Sequence, residues 1–141
     1  MPFSTTIIVR FGDVDSAGIV YYPRYAHYLH VGMERFFAEA LGVDYAELTV
    51  ERRFGLPTVR LEVDFKRPFR YGDRIEMEIA IGRVGATSVE WLYALRAEGE
   101  EAVRARARTV TVASDLATIE KVDVPGWLRD ALAPHQVTVE R

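Results

Sequence analysis

The stretch Phe11-Gly12-Asp13-Val14-Asp15-Ser16-Ala17-Gly18-Ile19-Val20-Tyr21-Tyr22-Pro23 places two carboxylates in a turn between an apolar strand and the start of a helix. A helix start presents backbone N–H groups without intrahelical partners and a partial positive charge. An oxyanion developing there is stabilised while a nearby carboxylate attacks or activates water. Pro23 has no N–H of its own, which leaves Tyr22, Arg24 and Tyr25 as donors. Asp15 has two readings on these grounds. It is a turn residue whose carboxylate caps Ala17 or Gly18, the commonest task of Asp before a helix, or it is a reacting group. Asp13 competes for the second role. Gly18 permits a backbone conformation or a close approach that a Cβ would block.

Working outward, residues 5–11 are β-branched and aromatic and predict a first strand that Gly12 interrupts. Pro23 suits the first helical position. From there Tyr25, Tyr28, Leu29, Gly32, Met33, Phe36, Phe37, Ala40 and Leu41 recur at helical spacing, with Gly42 as the stop. Val31 and Ala38 add apolar character outside that stripe, which predicts a helix covered on more than one side. Residues 44–52 form either a short second helix or an irregular excursion. Four strands follow, at about 57–67, 73–84, 87–98 and 102–115. Their joints, Tyr71-Gly72-Asp73, Val84-Gly85-Ala86 and Glu98-Gly99-Glu100, are glycine turns at hairpin spacing, which predicts an antiparallel meander. Residues 126–132 read as a short helix after Pro125, and Pro134 to Arg141 as a mobile tail. The whole is a single α+β domain over 1–141, with about five antiparallel strands packed on one long helix. Periodicity alone also fits a cystatin-like or other helix-on-sheet fold.

The opening motif is more specific. It resembles the active-site segment of the hot-dog thioesterases related to 4-hydroxybenzoyl-CoA thioesterase, whose pattern is aromatic-Gly-Asp-x-Asp-x-x-Gly-x-Val-x-Tyr-Pro. The likeness extends more loosely through Gly55-Leu56-Pro57-Thr58-Val59 and Arg67-Pro68-Phe69-Arg70-Tyr71-Gly72-Asp73 to the final strand. It implies a sheet wrapped around the central helix and hydrolysis of an acyl-CoA or related thioester. Asp15 is then the nucleophile or general base, the Tyr22 backbone N–H polarises the carbonyl, and Asp13 holds the loop. Gly18, Ile19, Val20 and Tyr25 are placed among the substrate-binding residues. The resemblance also implies a homodimer or homotetramer with sites at the interface, Pro57, Thr58 and Val59 of one copy facing Asp15 of the other. Some relatives carry His where Tyr22 stands, so a second acid–base group found there is missing here.

Composition narrows the classes. A chain of 141 residues, 49% hydrophobic, buries a core without staples, and its lack of cysteine excludes a disulfide framework, a thiolate metal site and a cysteine nucleophile. No signal core and no run near the roughly 20 apolar residues of a membrane span is present, so the expectation is a soluble, cytoplasmic protein. The net charge of −3 gives no global attraction to nucleic acid. No metal or redox cofactor is called for, and CoA enters as part of the substrate.

Several residues have a bland and a sharp reading. His27, His30 and Glu34 have helical spacing for a metal, but a half-buried His at a subunit contact is the better use of His30, and lining the acyl pocket is another. Relatives acting on hydroxybenzoyl thioesters have a carboxylate at the position of His30, so that substrate is not implied. Ser88 lacks a credible base and is assigned to strand structure or pantetheine contact. Arg83 is a candidate for the CoA phosphates. The hydroxybenzoyl enzyme's paired arginines align with Gly85 and Ala86, so nucleotide binding must differ. Lys66-Arg67-Pro68-Phe69-Arg70 fits a contact with RNA or a nucleotide but better a solvated hairpin end. Arg104, Arg106 and Arg108 alternate on one strand face, marking an exposed face or a charged contact that Glu90 offsets. Tyr21, Tyr25, Tyr28 and Phe36 suit an aromatic acyl group or ordinary core. Two other classes compete with hydrolysis: a binding protein holding acyl-CoA or acyl carrier protein without turnover, and an acyl-thioester hydratase or dehydratase, which wants a His in the turn.

Overall fold

Strand β1 (Phe3–Ile8) leads into a single 3-10 turn (Phe11–Asp13) and then the loop that ends at Pro23. The computed structural model describes residues 2–138. Helix α1 (Arg24–Arg35) starts one residue later than Pro23 suggested and continues through a π-turn (Phe36–Ala40). It stops where Gly42 adopts φ +68, a left-handed conformation that glycine accepts without Cβ strain. The buried stripe Tyr25, Tyr28, Leu29, Gly32, Met33, Phe36 and Phe37 follows the sequence periodicity. Ala38 is exposed, so the expected cover on a second side is absent at that position within one chain. Gly32 lies where the helix crosses the sheet: a Cβ there would collide with the Met77 sulfur and stand 3.1 Å from Ile79 Cδ1. Residues 45–51 form a short helical excursion ending in a second π-turn (Glu47–Glu51), with Leu48 buried beneath it.

Beyond it come β2 (Phe54–Gly55), β3 (Thr58–Phe65), β4 (Arg74–Val84), β5 (Ser88–Ala97) and β6 (Val103–Val112). The main sheet is antiparallel in the order β1-β4-β5-β6-β3. The meander therefore holds for β4 to β6 but not for β3, which pairs with β6 at the far edge. The Tyr71-Gly72-Asp73 turn closes no hairpin. It is sewn to the strand before the loop, Gly72 N–H donating to Val9 C=O (3.0 Å) and Val9 N–H to Asp73 C=O (2.9 Å). The last strand also breaks at Ala113, after which β7 (Ser114–Asp115) and β8 (Glu120–Lys121) join β2 in a small second sheet.

The face toward the helix carries Ile75, Met77, Ile79 and Ile81 from β4 and Val89, Trp91, Tyr93 and Leu95 from β5, all buried. β6 contributes small side chains there, Ala105 and Ala107, which leave room for the rings opposite. Trp91 packs edge-on against Phe36 at 5.5 Å and its indole N–H donates to Thr111 Oγ1 at 2.9 Å, satisfying its polar atom. Helix α2 (Gly126–Leu132) buries Leu128 and Leu132. The segment expected to be a mobile tail is pinned at its start. A 3-10 turn (Ala133–His135) sets the His135 ring on Phe36, and Val137 N–H donates to Ile81 C=O (2.8 Å) because the end of β4 offers an open carbonyl. Residues 139–141 of that tail lie outside the described residues.

Candidate active site

The loop between β1 and α1 is held mainly through Asp13. Its Oδ2 accepts the Arg10 N–H (2.9 Å) and the Tyr28 O–H (2.8 Å), its Oδ1 faces Arg24 Nε at 3.6 Å, and its carbonyl accepts the Tyr21 N–H (2.8 Å). Burial and the Asp13 carboxylate push the Tyr28 hydroxyl well above the ordinary tyrosine range, so it stays a donor. From sequence Tyr28 reads as part of an apolar stripe, as core or as a wall for an aromatic acyl group; the structure instead sets its hydroxyl on Asp13. The signal that marks it is its polar tip, which needs a partner once buried.

Asp15 is exposed. Its N–H donates to Ile19 C=O and its C=O accepts the Gly18 N–H (2.9 Å each), closing a tight turn in which Gly18 has φ +80. One carboxylate oxygen accepts the Ala17 N–H at 2.8 Å, the capping geometry. The other oxygen has no partner among the described residues. Of the three donors at the helix start, Arg24 N–H is spent on Tyr21 C=O (2.8 Å) and Tyr25 N–H on Tyr22 C=O (3.2 Å). Tyr22 N–H has no acceptor among the described residues. The loop thus presents one open carboxylate oxygen and one open N–H.

A hollow of about 310 Å³ adjoins the loop, walled by Ile19, Val20, Tyr22, Tyr25, Phe65 and Pro68 and rimmed by Lys66 and Arg67. Tyr25 packs edge-on against Phe65 at 4.9 Å, and its hydroxyl is raised by burial against a hydrogen bond with the Phe69 backbone. Val20 N–H donates to Phe69 C=O (2.9 Å), fastening the loop to this wall.

The remaining candidates are elsewhere in the chain. His30 and Thr58 share a smaller cavity between helix and sheet, about 130 Å³, with Leu61, Tyr93 and Thr109 among its walls. His30 is exposed in the single chain, with Glu34 Oε1 3.1 Å from its imidazole. His27 faces a different hollow, with Arg10, Asp13, Tyr28 and Arg35, so the spacing of His27, His30 and Glu34 gathers no common centre. Among the described residues no group of three His, Cys, Asp or Glu is placed to hold a metal. Arg83 and Ser88 line a third hollow of about 390 Å³ on the outer face of the sheet, with Glu90 and Arg108. Glu90, 3% exposed, accepts the Arg83 N–H at 3.0 Å and pairs with Arg108, which also faces Glu62 at 3.6 Å, so the arginine row is offset there as its spacing suggested. Pro57 and Val59 are exposed at the β3 edge. Within one chain, then, Ile19, Val20, Tyr22 and Tyr25 share the hollow, Asp15 and Gly18 are tied to Ile19 through the tight turn without lining it, and His30, Pro57, Thr58, Val59, Arg83 and Ser88 are placed elsewhere.

Residues 9–132 match the family described as the thioesterase-like superfamily. The 1,4-dihydroxy-2-naphthoyl-CoA hydrolase of Synechococcus elongatus is 31% identical over 134 residues, 94% of each chain. A solved gentisyl-coenzyme A thioesterase superposes with a TM-score of 0.82 at 26% identity, covering 90% of this chain and 99% of the other. The 1,4-dihydroxy-2-naphthoyl-CoA thioesterase from Synechocystis, at 24% identity and a TM-score of 0.83 over 94% and 96% of the chains, shares the hot-dog fold.

Proposed function

Because this chain belongs to the thioesterase-like superfamily, we propose that it hydrolyses a CoA thioester to the free acid and CoA at the Asp15–Tyr22 loop. The observation that carries this reading is that one Asp15 carboxylate oxygen and the Tyr22 N–H, in one loop, have no partner among the described residues, with a hollow walled by apolar and aromatic groups beside them. In the reaction, Asp15 attacks the thioester carbon to give a mixed anhydride that water then cleaves, or it takes the proton of an attacking water. In either course the carbonyl oxygen gains charge at Tyr22 N–H, the C–S bond breaks, and the thiolate leaves to be protonated. An aryl group ranks first among acyl groups, supported by relatives named for dihydroxynaphthoyl and gentisyl thioesters.

We further propose that the working unit is a dimer or a dimer of dimers. Strand β3 is an edge exposed along nearly its whole length, with Val59, Leu61 and Phe65 uncovered, and an edge of that kind is normally paired or covered. A second copy is what would bring Pro57, Thr58 and Val59 to the Asp15 loop.

The test is thiol release from short, medium, long and aromatic acyl-CoAs, wild type beside Asp15→Asn. The expected loss in kcat is at least about a hundredfold, the low end of the roughly 10²–10⁴ that a positioned acid–base group supplies. Equal rates in the two folded proteins would remove Asp15 from the chemistry. Acyl-CoA that binds the wild type and is never cleaved would favour a carrier function.

A further inference from the structure

Resting on the thioesterase reading, we infer that Lys66 and Arg67 bind the phosphates of the coenzyme's nucleotide end, at the rim of the hollow that Tyr22 also lines. The basic run at 66–70 reads from sequence as a solvated hairpin end; Lys66 and Arg67 are indeed exposed, and both also line the hollow beside the loop. Lys66 N–H and Arg67 N–H both donate to Arg104 C=O (2.9 and 3.0 Å), so one carbonyl fixes two successive residues at the end of β3.

Charge compensation decides between this rim and its rivals. Arg104 is fully engaged, with Glu100 at 2.8 and 3.1 Å and Pro68 C=O at 2.9 Å. Glu100, the carboxylate that senses Arg67, is held low chiefly by its hydrogen bond to Arg104. Lys66 and Arg67 form no ion pair among the described residues, and no carboxylate lines their hollow. The hollow around Arg83 and Ser88 differs. It contains the Glu90 carboxylate, its Arg108 is committed to Glu90 and Glu62, and Arg129 is spent on the carbonyls of Gly85 (2.8 Å) and Val84 (3.5 Å). A phosphate entering there meets a like charge; at Lys66 and Arg67 it meets two cations that no ion pair holds, Arg67 sensing Glu100 only at longer range.

The dimensions agree with the same occupant. At about 310 Å³ the hollow is at the small end of ligand clefts, and Ile19, Val20, Phe65 and Pro68 give it apolar walls. That suits an uncharged pantetheine arm running from a thioester at Tyr22 to phosphates at the mouth. Coenzyme A carries a diphosphate and a ribose phosphate at that end, whereas a carrier protein presents a single phosphodiester, so two adjacent cations favour the nucleotide.

The experiment compares one aromatic acyl group on CoA and on pantetheine, in wild type and Lys66→Ala/Arg67→Ala, with thermal melting as a folding control. The expected result is a KM for the acyl-CoA raised about tenfold or more, kcat within about twofold, and unchanged kinetics on the acyl-pantetheine. Wild-type KM for the acyl-CoA should also rise with salt, and that slope should flatten in the variant. An unchanged KM, an equal loss on both substrates, or the KM increase appearing in Arg83→Ala instead would overturn the inference. So would an effect confined to an acyl carrier protein substrate. If the wild type cleaves no thioester, the hydrolase reading fails separately, and calorimetric binding of free CoA to the two proteins still decides where the phosphates go.

Discussion

At the scale of single residues, the two aspartates of the loop divide their work by what surrounds them. Asp13 is enclosed by donors from Arg10, Tyr28 and Arg24, while Asp15 retains an uncommitted oxygen. The motif in the sequence marks both carboxylates. It does not show that Arg24 and Tyr25 consume their own N–H groups locally, because that depends on the angle at which the chain enters the helix. Nor does it show the Tyr28 hydroxyl, fifteen residues from Asp13, reaching back to hold the loop. Tyr28→Phe should therefore destabilise the fold by about 0.5–1.5 kcal/mol in urea titration, the net worth of one hydrogen bond. As a positioning change it should lower kcat while leaving KM nearly constant, since Arg10 N–H and Arg24 still hold Asp13. The alkaline limb carries a second signature. A hydroxyl raised in the fold contributes stability that is fully present below its unfolded value of about 10 and is lost as pH climbs toward the folded value. Wild type should lose stability above pH about 10 more steeply than Tyr28→Phe, as followed by denaturation midpoints across that range.

Among the elements, the long helix and the strands β4, β5 and β6 were legible because each obeys a local rule: a 3.6-residue stripe, or alternation bounded by glycine turns. The exceptions were set by contacts distant in sequence. The turn at Gly72 has the composition of a hairpin but is bonded to Val9, which sends β3 to the other edge of the sheet. The segment after Pro134 is polar and reads as tail, yet an open carbonyl on Ile81 pairs it to β4. Gly32 is the position at which helix and sheet constrain each other most directly. Helix propensity alone favours its replacement, since glycine in a helix interior costs about 1 kcal/mol relative to Ala. Gly32→Val should nevertheless be destabilising, by about 1–3 kcal/mol, because the added methyls enter space held by Met77 and Ile79 and force a shift in a close-packed layer. Urea denaturation of the variant measures this, and a midpoint equal to wild type would mean that the Met77 side chain moves aside at no cost.

For the whole molecule, the distribution of candidate residues is the argument for assembly. One chain supplies the loop, the open N–H and the hollow beside them, while Thr58 and His30 open into a separate cavity and Val59 is uncovered on β3. A fold that keeps a long strand edge bare and leaves part of its proposed site unassembled would be completed by the proposed second copy along that edge. Val59→Lys/Leu61→Lys tests this at two positions that are 63% and 47% exposed in the single chain, so the fold itself should tolerate the charges. Wild type should sediment as a dimer or tetramer. The double variant should sediment as a monomer with a cooperative thermal transition and should lose thiol release, since lysines facing each other across a paired edge repel and desolvate poorly. A variant that stays oligomeric would place the interface elsewhere on the surface. A variant that becomes monomeric with undiminished kcat and KM would show that residues 57–59 of a second chain have no part in the chemistry, and that the Asp15 loop and its hollow suffice alone.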